Sequence, residues 1–364
     1  KAIRRQRQMC IRDRQVIAYG TTKKVTITGA LSSVKSDEIM KSPVANMADA
    51  LSGKVPGLSS VQTSGQPGED KTELYVRGVG SLSTELSAPL CLVDGVERSF
   101  TQLDPNEVED ITVLKDASAT AVFGVRGANG VILVTTKRGK QGKAKITFST
   151  SASVQMPTNI PEFANSYEYA MAYNAAQLRD GVSKDNLMFS DEIVEAFRTN
   201  SNPILYPSTD WTDFLIRGSA LQTQHNLTIS GGSERVRYFA SLGVFTQDGL
   251  FKTFDNGHDK GFKYNRYNYR INMDIDVTKT TVMKINLGGR LSDQCQPNYN
   301  NGTYTSLEHL FSTIYSAVPF SGAGVVDGKC ITSDKATFGS FGTMNDGLST
   351  YCLLYTSPSP RDCS

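Results

Sequence analysis

The strongest constraint on this chain is a set of long stretches in which apolar and polar side chains alternate. In "YNYRINMDIDVT", Tyr267, Tyr269, Ile271, Met273, Ile275 and Val277 share one face, and Asn268, Arg270, Asn272, Asp274, Asp276 and Thr278 share the other. "TVMKINLGGRLSD" sets Met283, Ile285, Leu287 and Leu291 against Lys284, Asn286, Arg290 and Ser292. "RVRYFASLGVF" sets Val236, Tyr238, Ala240, Leu242 and Val244 against Arg235, Arg237 and Ser241. "KAKITFSTSASV" follows the same rule with Ile146 and Phe148 against Lys145 and Thr147, and "LQTQHNLTISG" follows it more weakly. A period of two predicts strands, and about 10 to 13 residues is well beyond the usual strand of about 5 or 6. A soluble sandwich shows the same alternation. Length, the tyrosines on the apolar face and the short turns "SGGSE" and "DVTKTT" together favour a membrane barrel, with the apolar face toward lipid and the charged face toward a wet lumen.

The two ends carry a different signal. Met9 to Asp13 can be encoded ATG TGT ATA AGA GAC, and Cys352 to Ser357 can be encoded TGT CTC TTA TAC ACA TCT; the second contains the reverse complement of the first. Unrelated protein termini have no reason to encode opposite strands of one DNA sequence, so residues 1–14 and 352–364 are expected to be translated adapter sequence. Setting them aside turns a net charge of +2 into −3, with 31 Lys/Arg against 34 Asp/Glu. The basic arm that could have suggested nucleic acid disappears, and no nucleic-acid partner is expected. Cys91, Cys295 and Cys330 remain, far apart and without metal-ligand spacing. No run of about 18 or more apolar residues exists, so no membrane-spanning helix is expected.

Residues 25–140 read differently, as a compact α+β unit of short elements. "ANMADALSGKVPG" places Met47, Ala50, Leu51 and Val55 on one helical face, ended by Gly53 and Pro56. "TELYVRGVG", "APLCLVDGV", "DITVLK" and "GVILVTTK" read as strands, with a small-residue helix over Ala117 to Val122. The glycines of "VEDITVLKDASATAVFGVRGANGVILVTTKRG" invite a phosphate-cradle reading. A Walker loop needs Lys then Ser/Thr after its glycines, and a dinucleotide fingerprint opens a helix; here the glycines precede a strand. Gly124, Gly127 and Gly130 are therefore expected to serve tight turns and positive φ, as are Gly78 and Gly95.

Between the long strands lie two long connectors, 157–219 and 294–351. The first holds two helical patterns, one opened by an Asn165/Glu168 capping box and one capped by Ser190 with Asp191 and Glu192. Long loops on one side and short turns on the other is the asymmetry of outer-membrane barrels. Catalytic, cofactor and metal sites are not expected. His225, His258 and His309 are scattered, "DNGHDKG" lacks the terminal Glu of a calcium loop, and no nucleophile, acid or base converges. Trp211 in "TDWTDF" is expected to pack within its loop rather than serve as a sugar platform.

In order, "VIAYGTTKK", "ADALSGKVPGL", "SGQPG", "LYVRGVGS", "APLCLVDGV" and "VEDITVLKDASATAVFGVRGANGVILVTTKRGK" resemble the plug domain of TonB-dependent outer-membrane receptors of the SusC/RagA type. "DWTDFLIRG", "HNLTISGGSERVRYFASLGVFTQDGLF" and "NRYNYRINMDIDVTK" resemble the first barrel strands of that family. The resemblance implies an α+β plug over 25–140, followed over 141–351 by the start of a transmembrane antiparallel β-barrel. About five strands would be present, of about 22 in a plugged barrel of this class. It implies a Gram-negative outer-membrane importer of glycans or peptides, not an enzyme, that works with TonB and its inner-membrane energising complex and a SusD-like surface lipoprotein. It implies a partial TonB-contact segment at Val16, Ile17, Ala18 and Tyr19, within residues 15–24, engaged by strand addition. It also implies that Arg77, Glu109 and Arg126 form ion pairs within the plug or to the barrel wall. The competing reading is a soluble β-rich binding or adhesive protein, which requires polar residues on the face carrying Tyr267, Ile271 and Ile275.

Overall fold

The computed structural model describes residues 14–17, 20–23, 31–41, 44, 46–62, 64–68, 72–78, 87–101, 103–116, 120–252, 262–295, 312, 314–322, 324–326 and 329–331. The chain divides into two compact units. One comprises Lys1–Ser153, Gln222–Gln247 and Tyr264–Ser292; the other comprises Val154–Leu221, Asp248–Lys263 and Asp293–Ser364.

In the first unit, β1 (Arg14–Ile17) and β2 (Gly20–Lys23) form a two-stranded antiparallel ladder, with Val16 opposite Thr21 and Ile17 opposite Gly20. Ala18 and Tyr19 lie outside the described residues. Next come β3 (Leu31–Lys35), α1 (Ser36–Ile39), α2 (Met47–Leu51), β4 (Leu58–Gln62) and β5 (Thr72–Val76). The helix α2 is short because Asn46 caps its start, accepting from Ala48 N at 2.9 Å, and Gly53 leaves it with φ +69°. Val55 thus lies past the helix, yet it is buried with Met47, Ala50 and Leu51 in one core.

The strands β6 (Leu90–Val93), β7 (Val96–Glu97), β8 (Val108–Leu114) and β9 (Val131–Thr136) join β3 in a sheet of order β3-β8-β9-β6-β7. The β6–β9 pair is parallel and the other pairs are antiparallel. Ile111, Val113, Ile132 and Val134 pack into one apolar cluster and Leu92, Leu114, Val131 and Leu133 into another. That explains the unbroken apolar runs at the centres of β8 and β9: a strand covered on both faces needs no alternation. "APLCLVDGV" is not one strand. Asp94 (φ 51°) and Gly95 (φ 87°) reverse it in a two-residue turn, and Asp-Gly is a favoured pair where both residues need positive φ.

In the stretch after β8, Ala117 to Ala119 lie outside the described residues. Within the described part of the expected helix, Thr120 is helical, its N–H bonded to the Asp116 carbonyl at 3.0 Å, and a 3-10 segment, Ala121–Gly127, follows, broken where Gly124 takes φ 60° and ψ −145°. Gly130 also has positive φ, but Gly127 does not. Its requirement is space: a Cβ there would sit 2.9 Å from the Thr120 carbonyl oxygen.

Five long strands follow in a second sheet, in chain order: β10 (Gly142–Gln155), β11 (Ala220–Gly232), β12 (Val236–Asp248), β13 (Lys263–Asp276) and β14 (Val282–Cys295). β11 and β12 are antiparallel, with Gln222 opposite Gln247 and Leu227 opposite Leu242. Their link is tighter than "SGGSE" suggests. Only Ser233 to Arg235 turn, and Ser233 Oγ accepts from Arg235 N and Val236 N. Among the described residues this sheet is open, with β10 and β14 at its edges.

The second unit has its own core. α3 (Ser166–Arg179) opens with the Asn165/Glu168 capping box, α4 (Asp191–Thr199) with Ser190 accepting from Ile193 N, and α5 (Trp211–Leu215) with Asp210. Phe189, Phe197, Trp211, Leu215, Phe251, Phe262, Ile314 and Phe320 are buried together. Phe320 meets Tyr169 and Phe189 edge-on with centroids 5.3 Å apart, a favoured aromatic geometry. Two short strands, β15 (Gly324–Val326) and β16 (Lys329–Ile331), pair antiparallel.

Candidate functional site: the interface between plug and long strands

The three inner long strands, β11 to β13, bury their polar face. Gln222, Gln224 and Asn226 on β11, Ser241 and Gln247 on β12, and Arg266, Asn268, Arg270 and Asn272 on β13 are all buried. The alternate residues Leu221, Leu242, Tyr267, Tyr269 and Ile271 are exposed. A water-soluble sheet does the reverse. An apolar exterior around a polar interior is the arrangement of a membrane barrel.

What lies against that polar face is the segment "LDPNEVED". Asp104 caps a 3-10 turn, Pro105–Glu107, with Oδ1 accepting from Asn106 N at 2.8 Å and from Asn106 Nδ2 at 3.0 Å. Proline at the first helical position needs no N–H partner, so the turn forms at little cost and points its two carboxylates the same way. Asp104 Oδ2 accepts from Gln224 Nε2 at 3.1 Å. Glu107 Oε2 accepts from Arg270 Nε at 2.7 Å, with the two side chains only 3% and 4% exposed. Burial pushes the Glu107 carboxyl above its ordinary range, and the Arg270 charge only partly offsets this.

Two more links run from the end of β9. Asn272 Nδ2 donates to Thr136 Oγ1 and to the Lys137 carbonyl, both at 2.8 Å. Thr136 in turn donates through Oγ1 (2.6 Å) and N (3.0 Å) to the carboxylate of Asp94, the turn residue. Arg138 donates to Asp274 Oδ1 at 2.6 Å and to Asn286 Oδ1 at 3.1 Å. A close approach makes these bonds possible. At Gly243 a Cβ would lie 2.7 Å from Asn226 Oδ1 and 2.8 Å from Asp104 Oδ2, so any side chain here would have to displace the Asn226 amide or the Asp104 carboxylate.

The three ion-pair residues singled out in the sequence lie elsewhere. Arg77 pairs with Asp116, Arg126 with Glu97, and Glu109 lies 3.9 Å from Lys140. Arg77 and Asp116 are 58% and 28% exposed, and the other two pairs are also open to solvent. None of the three reaches a long strand. Sequence reasoning missed Asp104, Glu107 and Arg270 as a site, although Arg270 stood on the charged face of its strand and Asp-Pro marked the turn.

The remaining candidates scatter. His225 sits on the outward face of β11 with Nδ1 2.7 Å from Thr150 Oγ1, while "DNGHDKG", His258 and His309 lie outside the described residues. Trp211 is buried, and its Nε1 donates to the Val318 carbonyl at 3.0 Å, as expected of a packing residue.

A plug sheet seated on the polar face of outward-apolar strands agrees with comparisons to known proteins. Residues 23–131 match the TonB-dependent Receptor Plug Domain. The TonB-dependent receptor P26 of Formosa agariphila is 31% identical over 324 residues, covering 83% of this chain and 30% of that protein. The TonB-dependent receptor SusC of Bacteroides thetaiotaomicron is 33% identical over 249 residues, covering 65% of this chain and 23% of that protein. The RagAB peptide importer in its open-open state superposes with a TM-score of 0.68 at 27% identity, over 91% of this chain and 37% of that one. The chain thus spans about a quarter to a third of the length of these curated relatives. With a plug domain followed by part of an antiparallel β-barrel, it belongs to the SusC/RagA-type TonB-dependent receptors of the outer membrane.

Proposed function

We propose that this chain is the plug and the opening barrel strands of an importer of oligomeric nutrients, glycans or peptides, energised by TonB and its inner-membrane complex. A SusD-like surface lipoprotein is its partner, outer-membrane lipid surrounds its strands, and no covalent chemistry is involved. The observation that carries this reading is the inverted sheet, whose buried polar face is occupied by the plug through Glu107–Arg270, Asp104–Gln224 and Thr136–Asn272. Such an interior becomes a passage only when those bonds are exchanged for water or ligand. Polar partners make that exchange possible at a modest net cost, since each hydrogen bond contributes only about 0.5–1.5 kcal/mol over its hydrated alternative.

In this reading TonB pairs with the backbone of Val16 to Tyr19 by strand addition, which needs no particular side chain, and pulls. Arg77, Glu109 and Arg126 then hold the plug's own shape rather than its seat. The test uses the intact gene in a Gram-negative host, with uptake of fluorescent oligosaccharides and peptides followed in cells. Uptake should vanish on loss of TonB and on deletion of Val16 to Tyr19, while surface binding persists. Uptake that survives without TonB would overturn the proposal.

A further inference from the structure

Within the second unit, a cavity of about 120 Å³ is lined by Phe163, Asn165, Ser208, Asp210, Trp211 and Ile314, among others. It is several times the roughly 10–15 Å³ that a single water needs, and below the roughly 300–1,000 Å³ of a drug-sized site. The space suits one small ring.

Its chemistry is two-sided. Phe163 stacks on Tyr315, centroids 5.7 Å apart at 30°, and the two rings are 45% and 42% exposed. In a unit that buries Phe189, Phe197, Trp211 and Phe320, the half-open Phe163 ring, backed by Tyr315, offers the cavity a flat apolar wall. Around it stand uncharged donors and one carboxylate. Asp210 uses Oδ1 to cap α5, accepting from Thr212 N at 2.9 Å, Thr212 Oγ1 at 2.6 Å and Asp213 N at 3.1 Å. That arrangement fixes the carboxylate and leaves Oδ2 to accept from a ligand. Asn165 likewise spends Oδ1 on Glu168 N, leaving its amide N–H groups as donors, and Ser208 Oγ accepts from Ser166 N, leaving its hydroxyl proton to donate. Among the described residues no Lys or Arg lines the cavity, so an anion finds no counter-charge there.

We infer that this cavity is a subsite for one ring of a neutral sugar, its apolar face on Phe163 and its hydroxyls shared among Asp210, Asn165 and Ser208. A sugar ring has this same division, with C–H groups on its faces and hydroxyls that both donate and accept around its edge. A Lys or Arg side chain of a peptide is the competing occupant, since a carboxylate beside aromatic rings also suits a cation. The sugar is favoured because Asn165 and Ser208 present donors, which a cation cannot use. The inference deepens the import reading by choosing glycan over peptide, and rests on that reading only for the source of the sugar.

Trp211 is the chain's only tryptophan and it lines the cavity, so it reports on occupancy directly. The full chain in detergent micelles is titrated with neutral oligosaccharides of glucose, mannose, galactose and xylose and, separately, with tri-lysine and tri-alanine, and is also applied to a glycan array. At least one neutral glycan should give a saturable change in tryptophan emission and a positive array feature. Phe163→Ala and Asp210→Asn should each weaken that binding tenfold or more. Asparagine still caps α5, so Asp210→Asn keeps the fold, and an unchanged far-UV spectrum checks this. Binding of tri-lysine alone, no glycan response in either assay, or glycan binding indifferent to both substitutions would overturn the subsite. Peptide uptake by intact cells in those cases would leave the import reading standing. Glycan binding without TonB-dependent uptake would remove the import reading and keep the subsite.

Discussion

Glu107 and Arg270 meet where neither is hydrated, and their value depends on remaining together. Cutting one partner of such a buried pair costs about 3–5 kcal/mol, because the survivor is left charged without a counter-ion. Arg270→Met should therefore lower the denaturant midpoint of the micelle-bound chain far more than Arg77→Ala, whose exposed pair with Asp116 contributes about 0–1 kcal/mol. Equal effects would mean that the buried pair does not hold the plug. A pH dependence accompanies this. The folded state raises the Glu107 pKa above its ordinary 4.5, so between 4.5 and that raised value the folded chain holds more protons than the unfolded one. Glu107's contribution to stability is thus greatest below about pH 4.5 and is lost as pH rises through the folded pKa. Against Glu107→Gln, which has no carboxyl to titrate, the wild-type midpoint should fall steadily over that window. A difference between the two that stays flat with pH would refute the raised pKa. The penalty of Arg270→Met should also shrink toward acid, since a neutral carboxyl needs no partner.

At the scale of elements, Gly243 leaves room for the Asp104 carboxylate and the Asn226 amide where plug and strand meet. Gly243→Ala would push a Cβ to within 2.7–2.8 Å of Asn226 Oδ1 and Asp104 Oδ2, and overpacking of this kind costs about 1–3 kcal/mol. Loss of the Asp104–Gln224 bond should show as faster proteolysis within residues 98–110, whereas Gly53→Ala, which meets nothing within 4 Å, should leave that region protected. Gly53 carries positive φ, so its own cost is local strain rather than loss of the interface. Identical cleavage in both variants would mean that Asp104 is seated by other contacts. These elements also show what a sequence can reveal. The alternation of β13 was plain, and so were the capping box of α3 and the packing role of Trp211. All are set within about a dozen neighbouring residues. Glu107 and Arg270 are 163 residues apart in the chain, and nothing local distinguishes Glu107 from Glu109, which points to solvent. Gly243 reads in sequence as a weak point in a strand, because its reason lies in Asp104. The one-turn helix α5 was hidden for the opposite cause: it is too short to display a period, and only Asp210 marks its start.

At the scale of the whole molecule, the distribution of apolar surface decides between a membrane protein and a soluble binder. A soluble reading needs polar side chains beside Tyr267 and Ile271, but the exposed row is Leu242 at 59%, Tyr267 at 46%, Tyr269 at 42% and Ile271 at 40%, while Arg270 and Asn272 are buried. The edge strands add Ile146, Phe148, Leu287 and Leu291, so the apolar surface runs across the sheet in a patch that a soluble monomer would not leave in water. Among the described residues β10 and β14 are open edges, and such edges make association in water still more favourable. The chain should therefore aggregate in detergent-free buffer and become monodisperse, with a strong β signal, in micelles of a neutral detergent. Replacing Leu242, Tyr269 and Ile271 together by lysine should move both results in opposite directions. It should reduce aggregation in water, and it should weaken insertion into vesicles by about 2–4 kcal/mol for each lysine near the bilayer midplane. Analytical ultracentrifugation reads the first and a urea-dependent vesicle-partition assay the second. A wild-type chain that is monomeric in water and unfolds cooperatively there would show that this face is covered by something other than lipid, and the barrel assignment of these strands would fall with it.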